Sequence, residues 1–396
     1  MNFKDFGNKM LAQNKIAAII WFGLVTIALL AALNNHAINN FIIFRQSYFH
    51  LIHETNLYVE YVSQYWDHYY YSPSFAVLVS PFSFLPTQLG AFAWGILDAG
   101  VLYFAIRQLP ISAQKQNFIL ILSANEMMNA ASNLQSNGIM AATIILSFVY
   151  ILKQKEFNST AMMILGFFIK LYSITGLAFF FFSKRKKTLI ISLLLWLVVF
   201  FLIPLLATSP SFLVQSYKDW AEALALKSNF DMTKDMYHNM VDVTIQGMVK
   251  RVFNLPNLNK WLFIIPGLLV FGAQYLQHKY FTNHIYRLYI LCSVLLFIIV
   301  FNTGTESPTY IIGVPAICLW YVLQEKTKWN NIIFIVSIFF SSFSYSDLFT
   351  PYLRNYVMVP YALKVVGCFI VWVTIAYQIF TRQFLQLSAD KEKEMS

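Results

Sequence analysis

Between Asn39 and Ser72 the chain gathers groups suited to a hydroxyl-rich ligand: the carboxylates Glu54, Glu60 and Asp67, the amides Asn39 and Asn40, Arg45, and the run Tyr69-Tyr70-Tyr71. Carboxylates accept hydrogen bonds from sugar hydroxyls, and aromatic rings stack on the apolar face of a pyranose, so this composition fits a carbohydrate site. The same residues would also serve as an aromatic belt with solvated charges at a membrane interface. His50 and His53 lie three apart beside Glu54, yet no further ligand follows at a suitable spacing and no His-Glu-x-x-His is present. No metal is therefore expected. A Gly-rich phosphate loop, a nucleophile elbow and an Asp-x-Asp pair are also absent from the sequence, and no cofactor is expected.

Three other places could carry chemistry. Lys170 interrupts the apolar stretch from Ala161 to Phe182. A cation at membrane depth is expensive and is by default a functional candidate, the alternative being a lysine that snorkels from a tilted helix. Glu306 precedes Ser307-Pro308 at the mouth of an apolar run, where a carboxylate either acts chemically or caps the helix that follows. Gln135 and Asn137 set two amides before another apolar run; such amides bind hydroxyls or cap a helix end.

The elements that must position these groups are membrane helices. The 396 residues are 58% hydrophobic and only 12% charged, far below the charge of a solvated globular domain. The 38 Phe, 23 Tyr and 9 Trp exclude disorder. The net charge of +10 resides in short clusters between apolar runs, which is a topology signal and not a nucleic-acid surface. Cys292, Cys318 and Cys368 all fall inside apolar runs and read as small core residues. The fold class expected is all-α: a polytopic transmembrane bundle with about 10–12 membrane helices, some short or re-entrant.

The first span expected is Ile16 to Leu33, an uncleaved helix. A short one is expected at Asn117 to Ala124, followed by an outer connection from Asn125 to Asn137. Most Lys and Arg fall on one side when the N-terminus is cytoplasmic, including the run Lys184-Arg185-Lys186-Lys187. Most carboxylates then fall on the opposite, periplasmic or extracytoplasmic face of an inner (plasma) membrane. Residues 1–396 form one integral membrane domain in this reading, with a first outer loop at 34–72, a long outer loop at 207–260 and a cytoplasmic tail at 382–396. Since Lys153 and Lys155 precede Ala161 to Phe182 and the basic run follows it, both ends belong on the same side. Two short helices meeting near Lys170 satisfy that requirement. In the long outer loop Val241, Ile245, Met248 and Val252 make an apolar helical stripe with Lys250 and Arg251 off it.

In their order along the chain, the segments resemble the polyprenyl-phosphate-dependent membrane mannosyltransferases of glycosyltransferase family 87, whose fold is of the GT-C type. The resemblance runs from Asn40-Phe41-Ile42-Ile43-Phe44 through Tyr71-Ser72-Pro73-Ser74-Phe75 and Leu134-Gln135-Ser136-Asn137 to Ile169-Lys170-Leu171-Tyr172 and Glu306-Ser307-Pro308. It implies inverting transfer of a sugar, mannose in the family, from a polyprenyl-phosphate donor to a glycan or glycolipid acceptor on the outer face. The partners are then that donor, the acceptor and membrane lipid.

The family's base is an Asp in the first outer loop, and the matching position here is Asn40, which cannot take a proton. Either the base has moved or the chain is not active as the family is. The substitutes are Asp67, four residues before the Tyr71-Ser72-Pro73 motif, then Glu306, with Glu60 and Glu54 also at the outer face. By the same resemblance Lys170 holds the donor phosphate, with Arg45 and Arg354 as alternatives. Gln135 and Asn137 hold sugar or phosphate, and Tyr69 or Tyr71 the acceptor. A transporter or lipid flippase, with Lys170 paired to Asp98, is the competing reading; such proteins tend to show related halves, and none is found.

Overall fold

The computed structural model describes residues 13–230, 241–346 and 350–388, and these are helical with no strand among them. Among the described residues four helices are long and apolar enough to cross a bilayer: α1 (Asn14–Asn34), α5 (Thr87–Arg107), the run Lys186–Leu206 that begins with α9 (Lys186–Leu202), and α13 (His284–Phe301). At 1.5 Å per residue each approaches the ~30 Å of hydrocarbon. Shorter apolar helices accompany them, as expected for a polytopic all-α membrane protein. Contacts divide the chain into two compact units, residues 18–110 with 127–230, and residues 1–17 with 111–126 and 231–396.

In the first unit α2 (Asn39–Ile52) leads through a loop to α3 (Pro73–Leu78) and α4 (Ser80–Ser83), which pack beneath it. Ser72 caps α3 by accepting from Phe75 N–H, and Pro73 at the first helical position favours that start. The centre of the unit is α7 (Asn137–Leu152), enclosed along almost its whole length and packed on α5 and α8 (Glu156–Ile169). The chain breaks after α8: Lys170 is extended at φ −142° and ψ 127°, and a 3-10 segment, Leu171–Phe182, then packs back on α7 and α8. Gly166 permits this return, because a Cβ there would collide with Ser173 and Thr143. Thr143 and Ser173 then join α7 to the returning segment by a 3.1 Å hydrogen bond. The two short arms meeting near Lys170 are thus present.

In the second unit α13 is the enclosed helix, packed against α14 (Val314–Leu323) and α16 (Val365–Phe380), with α15 (Lys328–Ile338) outside them. A buried amide chain ties three of these elements, with Trp320 Nε1 donating to Gln378, Gln378 to Gln324 and Gln324 to the Tyr289 hydroxyl. Cys292, Cys318 and Cys368 are buried and unlinked.

Two expectations need correction. α6 (Ala113–Ser132) runs well past Ala124, through residues expected in an outer connection. Its polar residues are satisfied inside the protein: Asn125 donates to Ser342, and Glu126 receives Lys364. In the long connection, after α10 (Pro210–Phe230), α11 (Ile245–Val252) forms where the stripe predicts, but Lys250 and Arg251 face inward, only 8% and 4% exposed. Val252 and Phe253 are the exposed ones. Arg251 donates to the Val241 and Asp242 carbonyls, and Lys250 lies 3.7 Å from the Asp242 carboxylate, so both cations find partners within the protein. Asp231, Asp235 and Asp347, expected on the outer face, lie outside the described residues.

Candidate functional site

Lys170 gathers several of the expected site residues around it. Its ammonium donates to Asn137 Oδ1 at 2.8 Å and lies 5.9 Å from the centre of the Tyr71 ring. Asn137 in turn donates to Gln135 Oε1 at 2.6 Å, and the Tyr172 hydroxyl reaches Asn137 Oδ1 at 3.5 Å. Lys170, Tyr71 and Gln135 are half-buried, and Asn137 is buried. Behind them stands Asp98, a buried carboxylate in α5 that accepts the Gly138 and Ile139 N–H groups at 3.1 and 2.6 Å and feels the Lys170 charge. An anion at a helix N-terminus satisfies orphan amides and the dipole, so Asp98 fixes the start of α7 and with it Asn137.

Asn40 supports the same place from the other side. Its amide donates to the Asn133 carbonyl at 2.8 Å, holding the turn that carries Gln135 and Asn137. A carboxylate at that position could not donate this bond.

The segment from Asn39 to Ser72 forms a second set of contacts. Asn39 clamps the peptide groups of Trp66, accepting its N–H at 3.1 Å and donating to its carbonyl at 2.6 Å. The exposed Asp67 follows at φ 78°, in the left-handed region, and its carboxylate accepts His68 N–H at 2.8 Å. His68 Nε2 is 3.2 Å from Glu60, linking these two candidate carboxylates through one residue. Tyr69 is fully buried, its hydroxyl donating to the Ser72 carbonyl, and Tyr58 donates to the Tyr71 carbonyl. Burial holds both phenols well above the ordinary tyrosine range, so they remain donors.

Other residues of the loop are committed elsewhere. Glu54 accepts Ser209 N–H and the Thr208 hydroxyl just before α10, and the bonds from Ser209 hold its carboxyl below the usual range. His50 reaches Gln64 and stacks on Tyr61 with ring centres 3.9 Å apart, whereas His53 faces the Phe49 carbonyl. Among the described residues no three potential ligands converge on a metal position. Arg45 lies over the Phe49 ring, its guanidinium carbon 5.1 Å from the ring centre.

Glu306 and Arg354 belong to the second unit. Glu306 caps the 3-10 turn Ser307–Ile311 in a capping box, its side chain receiving the Thr309 N–H and the Thr309 hydroxyl receiving the Glu306 N–H. Arg354 donates to Asn355. Beside the Glu306 turn lies an ion pair the sequence reading passed over. Lys364, wholly buried, donates to Glu126 at 2.8 Å and to the Ser307 hydroxyl and carbonyl at 2.9 and 3.3 Å. The rings of Tyr310 and Tyr345 lie 4.8 and 5.3 Å from the ammonium.

The model of glycosyltransferase family 87 matches residues 69–306. That range contains Lys170, Asn137, Gln135, Tyr69, Tyr71 and Glu306, and leaves Asn40, Arg45, Glu60, Asp67 and Arg354 outside it. No curated protein matches the chain.

Proposed function

The chain belongs to glycosyltransferase family 87 and is an integral membrane glycosyltransferase; from that premise we propose that it moves a sugar, mannose in our reading, from a polyprenyl-phosphate donor to a hydroxyl of a glycan or glycolipid on the outer face of the plasma membrane. The acceptor oxygen attacks the anomeric carbon, a base takes its proton, and the bond to the phosphate oxygen breaks with its electron pair leaving on the phosphate. The configuration inverts.

The observation that carries this reading is the ammonium at the break after α8. A half-buried cation in low-dielectric surroundings stabilises the charge that develops on the leaving phosphate, and losing one such donor typically costs ~10²–10³ in rate. Asn137, which accepts from Lys170, and Gln135, which accepts from Asn137, offer amides for sugar or phosphate, and the half-buried Tyr71 a ring for stacking.

For the base we assign Asp67. Its carboxylate is exposed and held by a clamped peptide, whereas the Glu306 carboxylate already serves as a cap. Asn40 acts as a positioning residue for the Gln135–Asn137 turn. Purified protein given polyprenyl-phosphate mannose and candidate acceptors should release polyprenyl phosphate. Asp67→Asn should lower that release by at least about 10²-fold while Glu306→Gln retains most of it; the reverse order would transfer the role to Glu306.

A further inference from the structure

Arg45 has no part in the chemistry above. Its neighbour Phe44 is buried, with its ring 4.9 Å from Tyr71 and 5.0 Å from Phe75, on the side of α2 that leads to Lys170. One residue along a helix turns the side chain by about 100°. Arg45 therefore emerges on another face, in line with Tyr48, Phe49 and Ile52 three, four and seven residues on. Its Nε is buried with no hydrogen-bond partner, and none of the ion pairs among the described residues involves it. A guanidinium is always charged, so this arrangement is costly unless an acceptor comes from outside the protein.

The level of this face follows from the spans beside it. Trp21 Nε1 donates to the Ala99 carbonyl and Leu29 packs on Gly95, so α1 and α5 run antiparallel. The end of α1 at Asn34 and the start of α5 at Thr87 consequently lie at the same membrane boundary, and α2 begins there at Asn39. Phe84, just before α5, is 68% exposed and sets its ring 5.3 Å from Tyr48 and 6.3 Å from Phe49. Leu89 and Ile52 are exposed as well. An aromatic and aliphatic patch open to its surroundings at a span boundary faces lipid. The anion available at that depth is a lipid phosphate, whose geometry the guanidinium fork matches.

We propose that the α2 face of Arg45, Tyr48 and Phe49, together with Phe84, binds the phosphate of a membrane phospholipid at a place separate from Lys170. The guanidinium takes the phosphate oxygens, and the exposed Phe84 ring, with the half-buried Tyr48 and Phe49, packs along the upper acyl chain.

The test counts lipid and needs no sugar transfer, so its outcome is independent of the glycosyl-transfer reading. Full-length protein in detergent is titrated with phosphatidylglycerol and bound lipid is resolved by native mass spectrometry. Retention of one lipid should weaken about tenfold in Arg45→Gln. Phe84→Ser, at an exposed position, should weaken it about threefold and carries the test if Arg45→Gln does not fold. Equal retention by wild type and both variants overturns the proposal. Displacement by inorganic phosphate overturns it in favour of a free-anion site, and displacement by polyprenyl phosphate alone overturns it in favour of the donor.

Discussion

Lys170 and Lys364 are both lysines set among apolar helices, and their surroundings differ in kind. Lys364 is sealed from its surroundings, with the Glu126 carboxylate at 2.8 Å and both oxygens of Ser307 within 3.3 Å. Lys170 is half-buried, and the oxygen it touches at 2.8 Å belongs to a neutral amide; the nearby Asp98 carboxylate is occupied by the N–H groups that start α7. A sealed, fully compensated ammonium holds parts of a protein together. A half-buried ammonium that meets an amide oxygen can exchange that oxygen for a phosphate oxygen as a substrate comes and goes.

The contrast can be broken at either lysine. Lys364→Met should cost about 3–5 kcal/mol, because Glu126 is left as a buried charge without its cation, and joint replacement with Glu126→Leu should restore most of that loss. Thermal unfolding in detergent reads both; an unchanged midpoint in the single variant would show that the pair is not a fastener. Asn40→Asp removes the amide that holds the Asn133 carbonyl and should cost about 1–3 kcal/mol in the stability of that turn. Polyprenyl phosphate release should then fall roughly tenfold; a rise would place the base at position 40 and displace Asp67.

The smallest effect is expected at His50 in α2. Burial is the main reason His50 titrates below the ordinary histidine range; the His53 charge adds to it, and the Gln64 bond opposes it. The folded state therefore disfavours the imidazolium, and the unfolded chain takes up the proton first, near pH ~6.5. Stability contributed here is present above that pH and is lost as pH falls below it. Hydrogen exchange around Tyr61 and Tyr65 should quicken on acidification, and His50→Gln should flatten the response; a pH-independent rate in wild type would contradict the assignment.

The long spans were legible because an apolar run of about 20 residues has few other fates. Lys170 was legible for the same reason, as a charge inside such a run, and the basic residues on either side of the run already required a return of the chain. α6 was not, because Asn125 and Glu126 look solvated until their partners Ser342 and Lys364, more than 200 positions away, are known. Lys364 lies at the start of the apolar run from Ala362 to Ile379, where a cation near a span end draws no notice. On α11 the stripe located the helix, and Ile245 is buried, but Lys250 and Arg251 are buried as well and Val252 is exposed, since in a membrane protein a cation turns toward partners and an apolar side chain can remain exposed to lipid. The amides of Gln135 and Asn137 were visible as candidates, but Asp98 as the support that fixes them was weighed only as a partner for Lys170 in transport.

Release of polyprenyl phosphate from polyprenyl-phosphate mannose, measured side by side for wild type and Lys170→Met with their unfolding midpoints, tests the central claim most directly. The account predicts a loss of about 10²–10³-fold in kcat with a midpoint that scarcely moves. Full turnover in Lys170→Met, or a loss of activity matched by collapse of the fold, would contradict it.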